Sequence, residues 1–187
     1  ASAAVKTPYD TEASIMVIAG GGGGGGYNNN SGYDGIIEET GSYTGSAGYA
    51  PTEYGEGNSG AGFFGNGVLG GHNGQTIAYS FVNGAVGGIG YAGGGTGYGG
   101  FGGGGSDGYY DGGGGGGYSG GRAGPTNLYA GYGGSSYNSG DDQDNEAGVG
   151  SGHGLVIITL DSPSISWVST SENSGVIPVG VSDTLDI

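Results

Sequence analysis

The sequence contains one acidic run whose residue types suit a metal ion. Residues 141–146 read Asp-Asp-Gln-Asp-Asn-Glu, and carboxylate oxygens are the ligands that calcium prefers. A helix–loop–helix calcium site needs glycine at the sixth loop position and glutamate at the twelfth. Counted from the second aspartate of the run, these positions hold alanine and histidine. We therefore predict a solvated loop, with a weak calcium site at Asp141, Asp142 and Asp144 as the alternative and no other cofactor.

Two histidines, His72 and His153, are the candidate catalytic bases, and each lies between glycines or in a glycine-rich turn. Serines and aspartates are plentiful enough for a catalytic triad, but no strand–turn–helix motif that would present a nucleophile is present. Cysteine is absent, which excludes thiol nucleophiles and thiolate metal sites. We predict that both histidines are polar turn residues and that the protein is not an enzyme.

An apolar segment followed by glycines imitates a dinucleotide-binding turn. Residues 15–19 read Ile-Met-Val-Ile-Ala, and residues 20–26 are all glycine. A dinucleotide site also requires a helix whose N-terminus faces the pyrophosphate. Here the glycines lead into Tyr-Asn-Asn-Asn-Ser-Gly, which cannot start a stable helix. Glu38 and Glu39 lie near the spacing of a ribose-binding acid, but without the helix that spacing carries no weight.

The tyrosines are the best candidates for binding. The chain has 15 of them, many placed directly after a glycine block. Exposed rings could stack on sugars or pack against a partner protein. The alternative is that they seal the ends and edges of a glycine layer, and the two interpretations have equal weight. The candidate binding residues are Tyr27, Tyr91, Tyr98, Tyr109, Tyr110, Tyr118 and Tyr137.

The composition excludes several classes of partner. The formal net charge is −15, and Lys6 and Arg122 are the two basic residues among 187. Nucleic acids and anionic membranes are disfavoured because phosphate recognition needs clustered lysine and arginine. No apolar run reaches the length of about 18 residues that a membrane span needs. Such acidity fits a solvated extracellular setting, and we expect the protein to be secreted or displayed on a cell surface.

The elements that must position these residues are strands and glycine blocks. With 55 glycines and 33% hydrophobic residues, a conventional side-chain core would be thin. Apolar runs predict a strand over 14–19, a half-buried strand over 75–82 with Ile77, Tyr79 and Phe81 on one face, and a closing strand over 155–160. No segment has helical periodicity.

The glycine blocks allow either disorder or an unusual order. Low hydrophobicity with high net charge is typical of disordered chains. The ordered alternative is a bundle of left-handed helices with three residues per turn, which lack internal hydrogen bonds and pair with each other through the backbone. We favour order because the flanking strands could clamp the glycine segments, and we expect such helices within residues 20–26 and 87–121.

Residues 15–160 resemble the glycine-rich domain family found in anaplastic lymphoma kinase, leukocyte tyrosine kinase and secreted bacterial proteins. The resemblance rests on three passages: the strand opening into glycines 20–26, the run 112–121, and the pattern 133–138 with 148–158. The last reads Gly-Gly-Ser-Ser-Tyr-Asn and, later, Gly-Val-Gly-Ser-Gly-His-Gly before an apolar strand. The resemblance implies a mainly β fold, a β-sandwich scaffold with polyglycine II helices packed in a layer, and a binding or structural role. Family members have a longer β-rich part before the first glycine block.

The C-terminal segment resembles the opening of bacterial immunoglobulin-like repeats. It contains Ser-Trp-Val-Ser at 166–169 and Ser-Gly-Val-Ile-Pro-Val-Gly-Val-Ser at 174–182. The resemblance implies that Trp167 is a core residue and Pro178 an edge or turn residue. Glycine also becomes rare after residue 162. We therefore expect a glycine-rich domain over 1–161 and a partial immunoglobulin-like segment over 162–187.

Taken together, these features predict an extracellular structural or adhesive module of a bacterial surface filament or giant adhesin. We expect a piece of a larger protein, or a subunit that completes its sheets by strand addition with like subunits or neighbouring domains. The alternatives are a tip that binds a receptor or surface glycan, in an adhesin or phage tail fibre, and an accessory domain of a secreted hydrolase.

Overall fold

A computed structural model describes most of the first 150 residues of the protein: 1–27, 30–52, 57–71, 73–91, 97–100, 102–125, 129–150 and, beyond these, Ile157. The chain divides into two units, Ala1–Val156 and Ile157–Ile187. The boundary lies a few residues before the predicted one at 162. The predicted closing strand over 155–160, apart from Ile157, and the predicted immunoglobulin-like segment lie outside the described residues.

One small antiparallel sheet forms at the start of the first unit. Strand β1 (Ser2–Val5) pairs with β2 (Ile15–Ala19), which pairs with β3 (Tyr137–Asn138), in the order β1-β2-β3. β2 corresponds to the strand predicted over 14–19, and a short 3₁₀ helix, Glu12–Ser14, precedes it. The β-branched residues of β2 favour the extended backbone. Among the described residues no α-helix is present, in agreement with the sequence.

The side-chain core lies where this sheet meets the glycine segments. Its buried members are Ile15 and Ile18 of β2, Phe63 and Tyr118. Five partly buried residues pack around them: Ala3, Val5, Phe64, Phe81 and Tyr137. The Phe63 ring stacks on Phe81 at 4.9 Å and meets Phe64 edge-on at 4.8 Å. This core is small because few large apolar residues are available, so the rest of the unit must be held together in another way.

Backbone hydrogen bonds between glycine segments supply the remaining cohesion. Residues 111–118, which we call the central segment, are all buried, and the chain then turns back so that Gly121 N donates to the Gly115 carbonyl at 2.7 Å. Every third amide N–H of this segment donates to a carbonyl of residues 129–135, and the two segments run parallel. The pairs are Gly112 to Tyr129, Gly115 to Tyr132 and Tyr118 to Ser135, at 2.8–3.0 Å.

The residues of the central segment that lie between Gly112, Gly115 and Tyr118 bind different neighbouring segments, with the same three-residue spacing. The N–H groups of Gly114 and Gly117 donate to carbonyls of residues 58–61, whereas the carbonyls of Gly113 and Gly116 accept from residues 21–24. Successive residues therefore point to three different neighbouring segments. The glycines of the central segment, 112–117, are thus surrounded by backbone instead of by side chains.

The prediction of a strand over residues 75–82 is wrong. Thr76 makes an isolated bridge to Ile89, and Phe81–Asn83 forms a 3₁₀ helix. The burial is also reversed, because Ala78 and Ser80 are fully buried while Tyr79 is 42% exposed. The reason is steric. Ala78 lies against the backbone around Gly67, where only a small side chain fits, so the larger side chains turn outward.

Asn58 ties three segments together and leads to a first testable prediction. It is fully buried; its Nδ2 donates to the Thr76 carbonyl and to Ser106 Oγ, both at 2.7 Å, and its Oδ1 accepts from Gly70 N at 2.6 Å. Replacing it by alanine removes three hydrogen bonds: the Thr76 carbonyl keeps its bond from Ile89 N, whereas Gly70 N and the buried Ser106 Oγ lose this partner. We expect Asn58→Ala to lower the free energy of unfolding by about 2–4 kcal/mol. Urea unfolding followed by circular dichroism measures this, with the exposed Asn73→Ala as the control.

Candidate binding surface

Four tyrosines form a continuous row at the surface. The ring centroids are 6.0 Å apart between Tyr91 and Tyr109, 4.2 Å between Tyr109 and Tyr110, and 5.2 Å between Tyr110 and Tyr27. Tyr27 is 55% exposed, and Tyr109 and Tyr110 are also exposed. We call these four residues the tyrosine row. All four were candidate binding residues, and the fold brings them together from three separate parts of the sequence.

The position of the tyrosine row is set by two glycine segments that run antiparallel to each other. Residues 20–26 run against the central segment, since Gly21 and Gly24 donate to Gly116 and Gly113 respectively. The end of residues 20–26 therefore meets the start of the central segment, and Tyr27 N donates to the Tyr110 carbonyl at 2.9 Å. The side-chain core lies at the opposite end of these segments, next to Tyr118. The row thus caps the end that the sheet leaves uncovered.

One carboxylate packs against the backbone that leads into the row, since Asp107 lies against Gly90, the residue before Tyr91, and against Gly97. Asp107, two residues before Tyr109, accepts from Gly97 N at 3.0 Å through Oδ1, and its carbonyl accepts from Gln75 Nε2 at 3.1 Å. Burial raises the pKa of the Asp107 carboxyl, and the Gly97 hydrogen bond opposes part of that rise. Tyr98, the next residue after Gly97, is 71% exposed. A half-buried hydrogen-bond acceptor and an additional exposed ring therefore lie near the row.

Two of the candidate binding residues are core residues instead. Tyr118 is 1% exposed, and Tyr137 of β3 packs against it with ring centroids 4.7 Å apart. Both lie at the end of the glycine segments that the sheet covers, where they fill space that glycine leaves empty. The prediction that Tyr118 contacts a ligand is therefore wrong, and for these two residues the alternative, that tyrosines seal the layer, fits.

The burial of Tyr118 predicts a loss of stability at alkaline pH. Burial raises the pKa of Tyr118 to about 12, and Glu12, Glu39 and Tyr137 add to the rise. Because the folded-state pKa is raised, this contribution to stability is complete below the ordinary pKa of about 10 and is lost as the pH rises through 12. We expect Tyr118→Phe to move the alkaline unfolding midpoint upward, as followed by far-ultraviolet circular dichroism. Tyr98→Phe at the surface should leave that midpoint unchanged.

A second tyrosine cluster was missed by the sequence analysis. Tyr132 lies between Tyr33 and Tyr43, with nearly parallel rings and centroid distances of 4.7 and 4.1 Å. The pKa of Tyr132 is raised by burial and by its two tyrosine neighbours, while Arg122 opposes the rise. Tyr33 and Tyr132 follow glycine and Tyr43 follows serine, which is the available sequence signal. Their separation of up to about a hundred positions concealed the stack, which fastens three chain segments together.

The acidic loop, residues 141–146, is fixed by hydrogen bonds from the side-chain amide of Gln143. Asp141, Asp142 and Asp144 are exposed. Gln143 Nε2 donates to the carbonyls of Asn138 and Gly140 at 2.8 and 2.9 Å, and this ties the loop back to β3. Among the described residues no three His, Cys, Asp or Glu side chains lie close enough together to hold a metal ion. Calcium binding here stays a prediction.

Other candidate sites are small or lie outside the described residues. A pocket of about 70 Å³ lies at the sheet end and is lined by residues such as Ile18, Phe81 and Gly117. That volume is well below the roughly 300–1,000 Å³ of a ligand pocket. His72 and His153, the candidate bases, are outside the part of the chain that the structure describes.

No protein-family model matches this sequence, and no similar curated protein or solved structure was found. The two family resemblances therefore stay predictions. Within the described ranges, no helix has the length and apolar character needed to cross a membrane.

Proposed function

We propose that the glycine segments of the first unit are polyglycine II helices packed side by side. The support is the three-residue spacing of the hydrogen bonds made by the central segment, which go to neighbouring segments. That spacing is the repeat of a left-handed helix with three residues per turn and no internal hydrogen bonds. A β-sandwich scaffold would require more strands than the three present among the described residues.

We further propose that the unit is an extracellular structural and adhesive module without catalytic activity. The observation that carries this proposal is the placement of the tyrosine row. The packed glycine segments hold four contacting tyrosines at the end farthest from the core, three of them exposed. A layer of hydrogen-bonded backbone makes a stiff support for such a surface, and tyrosine supplies rigid contact area at low entropic cost. The net charge of −15 fits a solvated exterior.

Assembly of like subunits is the structural half of this proposal. β1 and β3 form the two edges of the sheet, and an edge strand offers hydrogen-bonding groups to a strand from another molecule. Electron microscopy at high concentration, compared with the mass in dilute solution by light scattering, tests it. Filaments at high concentration support assembly through the edges, whereas monomers at every concentration contradict it.

Recognition of a receptor or surface glycan is the second candidate function. The observation that favours it is the exposure of Tyr27, Tyr109 and Tyr110, which are grouped although they come from different segments. Binding of the protein to immobilised surface polymers, compared between the wild type and a Tyr27/Tyr110 double alanine variant, tests it. Loss of binding in the variant supports recognition through the row, and equal binding argues against it.

A further inference from the structure

We propose that the tyrosine row, with Asp107, binds a single chain of an uncharged polysaccharide. This inference rests on the adhesive function proposed above and names the partner of the same surface. Three observations support it: the geometry of the rings, the Asp107 carboxylate and the net charge of the chain.

The ring angles favour a single sugar chain over a flat surface. Tyr110 is nearly perpendicular to both neighbours, at 74° to Tyr27 and 83° to Tyr109, and Tyr91 is tilted by 50° from Tyr109. Rings in this arrangement cannot lie together on one plane, as binding to a crystalline polymer face would require. They instead offer a series of faces and edges along which successive sugar rings can pack. Each face binds the apolar C–H side of a sugar ring.

Asp107 supplies the polar contact that a sugar needs. Its carboxylate accepts hydrogen bonds from Gly97 N and from its own backbone amide and has lone pairs left for hydroxyl donors, since a carboxylate can accept about four hydrogen bonds. The bond from Gly97 holds the carboxylate in place before any ligand arrives, which reduces the cost of ordering it. Binding sites of this kind combine apolar surface with a few fixed polar groups.

The charge of the protein decides which sugars fit. The chain carries a net charge of −15, and both basic residues lie away from the row. The backbone amide of Lys6 donates to the Ser14 carbonyl beside the sheet. Arg122 lies near Tyr132 in the other tyrosine cluster. A uronic-acid or sulfated polymer would meet repulsion with no cation to offset it. A neutral hexose polymer has hydroxyl donors for Asp107 and no charge to repel.

Affinity electrophoresis in native gels tests this inference. The whole protein is run through gels that contain a soluble neutral glucan, mannan or galactan, or alginate as the acidic polymer, and it is also incubated with crystalline cellulose. We expect retardation by at least one neutral polymer, and none by alginate or crystalline cellulose. Tyr109→Ala should weaken the binding about tenfold. Tyr79→Ala is the matched control, since Tyr79 is 42% and Tyr109 43% exposed but Tyr79 lies near Gly103 at the sheet end.

Tyr109→Phe keeps the ring and should keep the binding, which separates stacking from a folding defect in the alanine variant. Absence of retardation by every neutral polymer overturns the inference, as does equal binding to alginate or equal binding by Tyr109→Ala. If filaments form in the electron microscope while no neutral polymer retards the protein, the structural role stands and the glycan inference alone fails.

Discussion

Gly114→Ala is expected to unfold the first unit or to lower its free energy of unfolding by at least about 3 kcal/mol. Gly114 is buried in the middle of the central segment. A Cβ there would lie 2.7 Å from both the Gly60 N and the Gly121 carbonyl carbon, and closer still to the Gly121 oxygen. These atoms belong to backbone that is itself hydrogen-bonded, so they cannot swing aside as a side chain would. The added methyl group must therefore separate neighbouring segments and break their hydrogen bonds.

Gly100→Ala is the matched control for this change. Gly100 also lies in a glycine-rich part of the chain, but apart from its chain neighbours no heavy atom of the described residues lies within 4 Å of its added Cβ. The substitution should be neutral, or should stabilise by a few tenths of a kcal/mol because alanine restricts the unfolded chain. Thermal and urea unfolding of both variants gives the comparison. Similar stability of the two variants would show that the glycines of the central segment are not closely packed by backbone.

Phe63→Ala is expected to cost about 3–5 kcal/mol, as for other large core residues. Phe63 is fully buried and links the β2 residues to two further aromatic rings. Among the described residues the core has four buried large members, so the loss of one leaves a cavity that few other side chains can fill. Because the sheet packs on the glycine segments through this cluster, unfolding should remain cooperative and occur at lower temperature.

Differential scanning calorimetry measures the effect of Phe63→Ala, with Tyr98→Ala as a control that removes an aromatic ring exposed by 71%. The control should change the free energy of unfolding by less than about 0.5 kcal/mol. If Phe63→Ala melts like the wild type, the cluster is not the point where the sheet and the glycine segments are joined.

Local sequence patterns correctly predicted the secondary structure that depends only on residues adjacent in the sequence. The apolar, β-branched run at Ile15–Ala19 predicted β2, and the lack of helical periodicity predicted the lack of α-helix in the described residues. The same method failed over 75–82, where alternation placed Tyr79 inside and the structure buries Ala78. Alternation assumes that the largest side chains seek the interior. Here the interior beside Gly67 is backbone, and it admits only a methyl group.

The candidate binding residues divide in the same manner. The sequence indicated that tyrosines after glycine blocks would matter, but five of the seven candidates follow glycine directly and Tyr110 comes one residue later, so local context does not separate them. Tyr118 became a core residue and Tyr110 an exposed one because they lie at opposite ends of the same buried segment. Only the positions of the sheet and the neighbouring segments distinguish these ends. The stack of Tyr33, Tyr132 and Tyr43 could not be predicted for the same reason.

The sequence by itself determined the chemistry of this protein: its glycine content removes side chains from the interior, its missing cysteines exclude thiol chemistry, and its charge disfavours polyanionic partners. Only the tertiary structure decided which glycines touch and which tyrosines meet. The physical reason is that a glycine segment carries no side-chain pattern to specify its neighbours. Its partners are chosen by backbone hydrogen bonds between residues far apart in the chain, and those form only once the sheet and its small core hold the segments side by side.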